Sequence, residues 1–88
     1  MINNTITLEQ RNKALDLLQP HLEKFNLKSI TLVTEDGCTM RIAKLGHAQL
    51  WRLESVREQL KQHGMLMLYM VTPDSANSIR LHICFLSD

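Results

Sequence analysis

Between Thr7 and Phe25 the apolar residues Leu8, Leu15, Leu18, Leu22 and Phe25 recur at the spacing of one helical face, so the pattern predicts an amphipathic helix there. Thr7 followed by Gln10 has the arrangement of a capping box, and Glu9 near the start and Lys24 near the end suit the helix dipole. Asn26 can take the left-handed conformation that stops a helix. Arg11 falls inside the stripe. Pro20 removes the bond that its N–H would make to the Asp16 carbonyl. The segment is therefore expected either to kink between Asp16 and Pro20 or to split into two helices, with Pro20 opening the second.

From Lys28 to Thr34 the period changes to two, with Ile30 and Leu32 on one side and Thr31 and Val33 on the other. A second strand follows, in which Cys38, Met40 and Ile42 alternate with Thr39, Arg41 and Ala43. A two-residue Asp36-Gly37 turn would set Leu32 against Arg41. A three-residue loop, Glu35-Asp36-Gly37, pairs Thr34 with Cys38, Leu32 with Met40 and Ile30 with Ile42, which keeps apolar opposite apolar. That loop needs Gly37 in a left-handed conformation.

Leu50, Leu53, Val56 and Leu60 form the stripe of a second helix, His47 to His63, with Gly64 as its stop. Met65 to Thr72 reads as a nearly unbroken apolar strand, and Pro73 to Ser78 as a loop. Ile79 to Leu86 alternates, with Ile79, Leu81, Ile83 and Phe85 facing one way. The predicted fold is thus α+β in the order αββαββ: one four-stranded, mainly antiparallel sheet with both helices on one face. Its inner face is expected to carry Ile30, Leu32, Met40, Ile42, Leu66, Leu68, Met70, Leu81, Ile83 and Phe85. Shifting the chain against itself by 38 residues aligns Leu15 with Leu53, Leu18 with Val56, Leu22 with Leu60, Asn26 with Gly64, and Val33-Thr34-x-Asp36 with Val71-Thr72-x-Asp74. This hints at two αββ pseudo-repeats, although equal element order alone gives much of the same match.

In that arrangement Met65, Met67, Tyr69 and Val71 point away from the helices, and a strand apolar on both sides is normally covered on both. Both helices are already used, so the outer face calls for a partner, most simply a second copy packed sheet to sheet or edge to edge. The alternative is an open sheet face that tolerates some apolar surface. Trp51 lies roughly 170° around the helix from the Leu50, Leu53, Val56, Leu60 stripe at ~100° per residue. It is either an interface anchor or a ring covered locally by the incoming chain or a hairpin tip. Met67, Tyr69, Val71 and Trp51 are accordingly the candidate partner or dimer interface.

Eighty-eight residues make one domain, and 44% hydrophobic with 22% charged residues is the composition of a folded globular chain. Ten basic against nine acidic residues give a formal charge of +1, which supplies no long-range attraction for nucleic acid or anionic lipid. No apolar run reaches the ~18 residues of a membrane span, and the first residues lack the pattern of a secretory signal, so the cytoplasm is the expected location. Cys38 and Cys84 form no C-x-x-C pair and read as free thiols.

Pairing Thr72 with Ile79 places Tyr69 opposite His82, Val71 opposite Arg80 and Met67 opposite Cys84. Cys84 and His82 then share a face, as a thiol nucleophile and its base would, but neither an orienting carboxylate nor a glycine-rich oxyanion loop accompanies them. His21, His47, His63 and His82 are scattered without metal-ligand spacing, and the common nucleotide-binding and hydrolase motifs are missing; no cofactor and no metal are expected. Arg41, Arg80 and His82 beside Tyr69 form a candidate nucleic-acid patch of cations with one stackable ring. On the second helix Glu54 and Glu58, and Arg57 and Lys61, are like-charge pairs at i,i+4, so their counter-charges lie elsewhere. The expectation is a non-catalytic, homodimeric protein-binding module, an adaptor, regulator or inhibitor of the accessory kind that phages and plasmids encode. A small nucleic-acid-binding regulator is the alternative, and a Cys84-dependent enzyme the third.

Overall fold

The computed structural model describes residues 5–88; expectations that rest on residues 1–4 lie outside it. Its elements are α1 (Leu8–Leu22), β1 (Leu32–Val33), β2 (Gly37–Ile42), α2 (His47–Gln62), β3 (Met65–Ser75) and β4 (Ser78–Ser87). The strands form one antiparallel sheet in the order β1-β2-β4-β3. Residues from both helices and from one face of the sheet share a single core, so the fold is the αββαββ, α+β arrangement that the periodicity predicts. No helix among the described residues is long and apolar enough to cross a membrane.

Local chemistry sets the helix ends. The Gln10 N–H donates to Thr7 Oγ1 at 3.1 Å and the Thr7 N–H to Gln10 Oε1 at 2.8 Å, completing the capping box. Asn26, with φ 50°, and Gly64, with φ 73°, take the left-handed conformation after α1 and α2 respectively. α1 runs through Pro20 as one helix and does not split. Asp16 and Pro20 are both exposed, so the carbonyl deprived of its donor is on the water side, where the loss is tolerated. The buried stripe of the first helical segment is Ala14, Leu18, Leu22 and Phe25, while Leu8 is left in solvent. Ala14 is small enough to pass unnoticed in a count of large apolar residues, yet it lets α1 lie close to the core.

Both hairpin registers differ from the expected ones. In the first, Leu32 pairs with Thr39 and Val33 with Cys38, and the Thr34 N–H donates to the Gly37 carbonyl at 2.9 Å, which leaves a two-residue turn, Glu35-Asp36. Gly37 is not left-handed. It is the first residue of β2, and a Cβ there would overlap the Ile83 carbonyl oxygen and lie 2.8 Å from the carbonyl carbon. Close approach of β2 to β4, rather than turn conformation, requires the glycine. β1 is consequently short, and Ile30, Leu32 and Val33 are exposed instead of lining the core.

In the second hairpin Tyr69 pairs with Ile83, Met70 with His82, Leu68 with Cys84 and Met67 with Phe85, one residue away from the expected pairing. A slip of one residue exchanges the two faces of a strand. Met65 and Met67 therefore lie buried beneath the helices, and Leu66, Leu68 and Met70 take the outer face. The cause is in the segment read as a loop. β3 continues to Ser75 and β4 begins at Ser78, with an irregularity between Pro73 and Ser75 that absorbs the odd residue. Asp74, bonded to Ser78, Arg41 and Arg80, fastens that extension.

Candidate functional site

The helix-free face of the sheet is built from cross-strand rows. At its middle Leu32, Thr39, His82 and Met70 lie side by side across β1, β2, β4 and β3. The His82 imidazole is held on both nitrogens, by the Thr39 hydroxyl at Nδ1 (3.2 Å) and the Thr72 hydroxyl at Nε2 (2.9 Å). Towards one end Arg41 and Arg80 are direct partners on β2 and β4. Two arginines facing each other would repel, and Asp74 resolves this by accepting from Arg41 Nε at 2.8 Å and from Arg80 Nε at 2.9 Å. The Ser78 hydroxyl adds a third bond at 2.7 Å. Together these donors, Ser78 first, hold the Asp74 carboxyl down at about 2.

Towards the other end the β2–β4 partners are Gly37 and Cys84. An open hollow of about 450 Å³ runs from this end to the middle row, walled by Thr34, Asp36, Leu68, Met70, His82 and Cys84. Asp36 stands at its rim, with Oδ2 3.4 Å from the Cys84 sulfur. Partial burial, and then the Asp36 carboxylate, push the Cys84 thiol up; burial pushes Cys38 up to about 11. Both groups are thus held as thiols at neutral pH, the state opposite to an activated nucleophile. The Cys84 thiol turns to Asp36 and the His82 nitrogens to Thr39 and Thr72, so the sulfur and the imidazole are not partnered with each other.

The sequence-derived interface residues divide. Met67 is buried against the helices. Tyr69 is on the helix side too, with its hydroxyl donating to Glu54 Oε1 at 2.6 Å and the Arg57 guanidinium 4.9 Å from its ring centre. The Glu54 hydrogen bond, more than burial, raises the Tyr69 hydroxyl above its ordinary value. Val71 is on the same side but 41% exposed. Trp51, 75% exposed on α2, is covered by neither the incoming chain nor a hairpin tip. The charges of α2 pair at i,i+3, Glu54 with Arg57 and Glu58 with Lys61, which answers the like-charge spacing at i,i+4.

Arg41, Arg80 and His82 do come together on the outer face, without Tyr69. Sequence reasoning missed Leu66, Leu68 and Met70 on that face, and Asp36 and Asp74 at its ends. The sequence carried no signal for Asp74, because its role depends on β2 and β4 being neighbours, which sets Arg41 opposite Arg80.

The open edge of the sheet at β3 is blunted. The Asp88 N–H bonds the Gly64 carbonyl at 2.9 Å, so the even-numbered residues of β3 bond β4 and the odd-numbered ones direct N–H and C=O outward. On that outward side Arg57 Nε occupies the Met67 carbonyl at 3.2 Å, and Pro73 has no N–H to offer. The opposite edge, β1, is two residues long.

No group of three or more metal-ligating side chains occurs among the described residues. The chain matches no protein-family model, and a search of curated proteins gives no match.

Proposed function

We propose that this chain is a non-catalytic protein-binding module that acts as a homodimer, with the helix-free sheet face as its contact surface. One observation carries the reading: β3 is apolar on both sides while the helices cover only one. Met65 and Met67 are 1% and 2% exposed, whereas Leu68 and Met70 are 53% and 60% exposed on the helix-free side of edge strand β3, with Leu32 at 67% on the opposite edge strand of the same face. Large apolar side chains left bare along the edge strands of a face whose central polar side chains are bonded to one another are surface that a partner covers. Trp51, on the helix layer, is a separate anchor through which an adaptor, regulator or inhibitor of this size engages a further protein.

The test is the molar mass of the protein by sedimentation equilibrium, with Leu68→Glu and Met70→Glu as variants. The expected result is a wild-type dimer and monomeric variants with unchanged circular dichroism. A wild-type chain that stays monomeric into the high micromolar range would sink self-association.

A second reading, a small nucleic-acid-binding regulator, is favoured by the grouping of Arg41, Arg80 and His82. It is the weaker one because Asp74 already engages both arginines and the one tyrosine ring is beneath α2. Oligonucleotide affinity that falls steeply with salt would promote it above the first.

A further inference from the structure

We infer that the occupant of the helix-free face is a second copy of this chain, packed face to face about a two-fold axis that crosses the strands near His82. This rests on the protein-binding reading above and adds the geometry. The face has unlike ends. Arg41 and Arg80 stand up at one end as β2–β4 partners; Gly37 and Cys84 are the β2–β4 partners at the other. Thr39 and His82 pair midway between them. The arginine end carries two cations against one carboxylate, Asp74, and so a net positive charge. The hollow end carries Asp36, whose carboxylate has only hydroxyl and thiol partners among the described side chains.

A two-fold axis across the strands lays the arginine end of each copy on the hollow end of the other at the same lateral position. The arginine end meets the hollow beside Cys84, and a positive end meets a negative one. Met70 of each copy is then close to the axis, and the exposed Leu68 and Met70 are covered from the side on which none of the described residues covers them. The contact is isologous and closes at two copies.

The competing geometry, edge-to-edge pairing, is opposed by both edges. The β3 edge has its Met67 carbonyl taken by Arg57 and lacks the Pro73 donor, and β1 is too short to add a ladder.

Cys84 is a built-in reporter. It is on a central strand, on the face in question, while Cys38 is 1% exposed. The native protein is reacted with a water-soluble maleimide at concentrations spanning the monomer–dimer transition and read by intact mass. Face-to-face packing slows the Cys84 adduct at least tenfold as dimer forms, and Leu68→Glu abolishes that protection. A dimer whose Cys84 reacts as fast as the monomer's overturns this packing and leaves the protein-binding reading standing; a chain monomeric throughout overturns both. In a second arm Asp36→Lys and Arg80→Glu each weaken the homodimer tenfold or more. An equimolar mixture of the two, in which both contacts regain opposite charges, recovers heterodimer at wild-type affinity. Failure of the mixture to recover, with both variants folded by circular dichroism, overturns the end-to-end charge match.

Discussion

Truncating neighbouring residues of β3 separates the two possible registers of the second hairpin. Met67 is 2% exposed beneath the helices, and removing its side chain loses the transfer energy and leaves a cavity, a cost of ~2–5 kcal/mol. Leu68 is 53% exposed, so Leu68→Ala forfeits about half of a burial worth ~1.5–3 kcal/mol, roughly 1 kcal/mol. For a domain of this size ~1 kcal/mol corresponds to ~4–8 °C. Met67→Ala should therefore lower the melting temperature by at least ~8 °C, and Leu68→Ala by less than about that. The assays are thermal melting and urea denaturation at protein concentrations low enough to keep the chain monomeric, since a dimer of the native state would add stability of its own. Equal slopes m in the two variants make the midpoints comparable. If Leu68→Ala costs as much as Met67→Ala or more, Met67 faces outward and the assignment of the contact face collapses.

Three further outcomes follow from single contacts. The Asp74 carboxyl is depressed to about 2 in the fold, below the ~3.9 of an unfolded aspartate, so its contribution is present above pH ~4 and is lost as pH falls towards 2; Asp74→Asn should lower the urea midpoint at pH 7 and flatten its acid dependence between those values, and an unchanged acid slope would contradict the cluster. Tyr69 is the single tyrosine, so tyrosinate absorbance reports one group, which should ionise above its ordinary value and return towards it in Glu54→Gln; identical titrations of the two proteins would remove the bond. Gly37→Ala forces β2 away from the Ile83 carbonyl at an overpacking cost of ~1–3 kcal/mol, seen as a drop in melting temperature, and a melt indistinguishable from wild type would refute the close approach.

Element order, both helix starts and both left-handed stops were legible because each depends on local pattern, namely the Thr7 and Gln10 cap, Asn26, Gly64 and the 3.6-residue stripes, although α1 ends at Leu22 and not at Phe25. The sheet registers were not, because register is set at the turns and the turn residues carried two readings. Asp-Gly suggested a left-handed glycine at position 37, while the real demand on Gly37 comes from Ile83, far away in sequence. Pro73 and Asp74 looked like loop punctuation, yet Pro73 sits on an edge strand with its missing N–H turned outward, and Asp74 is held by arginines from two other strands. A strand with apolar residues at nearly every position gives alternation nothing to decide with. In β3 the choice between Met67 and Leu68 as the inner residue fell to a hairpin whose length the sequence did not show. The property that motivated a contact surface, a strand greasy on both sides, is independent of register; only the names of the residues on each side change.

The placement of polar groups around that strand bears on where a partner can sit. α2 protects the β3 edge with two side chains: Arg57 takes the Met67 carbonyl and stacks on Tyr69, and Glu54 takes the Tyr69 hydroxyl. Of these, the Arg57 bond removes one outward carbonyl from an added strand, one of the ways sheets limit edge growth. Among the described residues nothing comparable shields Leu68 and Met70. On their face the polar side chains instead satisfy one another, His82 through two threonines and two arginines through Asp74, so covering the face with another protein leaves few polar groups without partners. A surface whose central polar groups are already paired and whose flanking apolar residues Leu68 and Met70 are bare has a low desolvation cost for association.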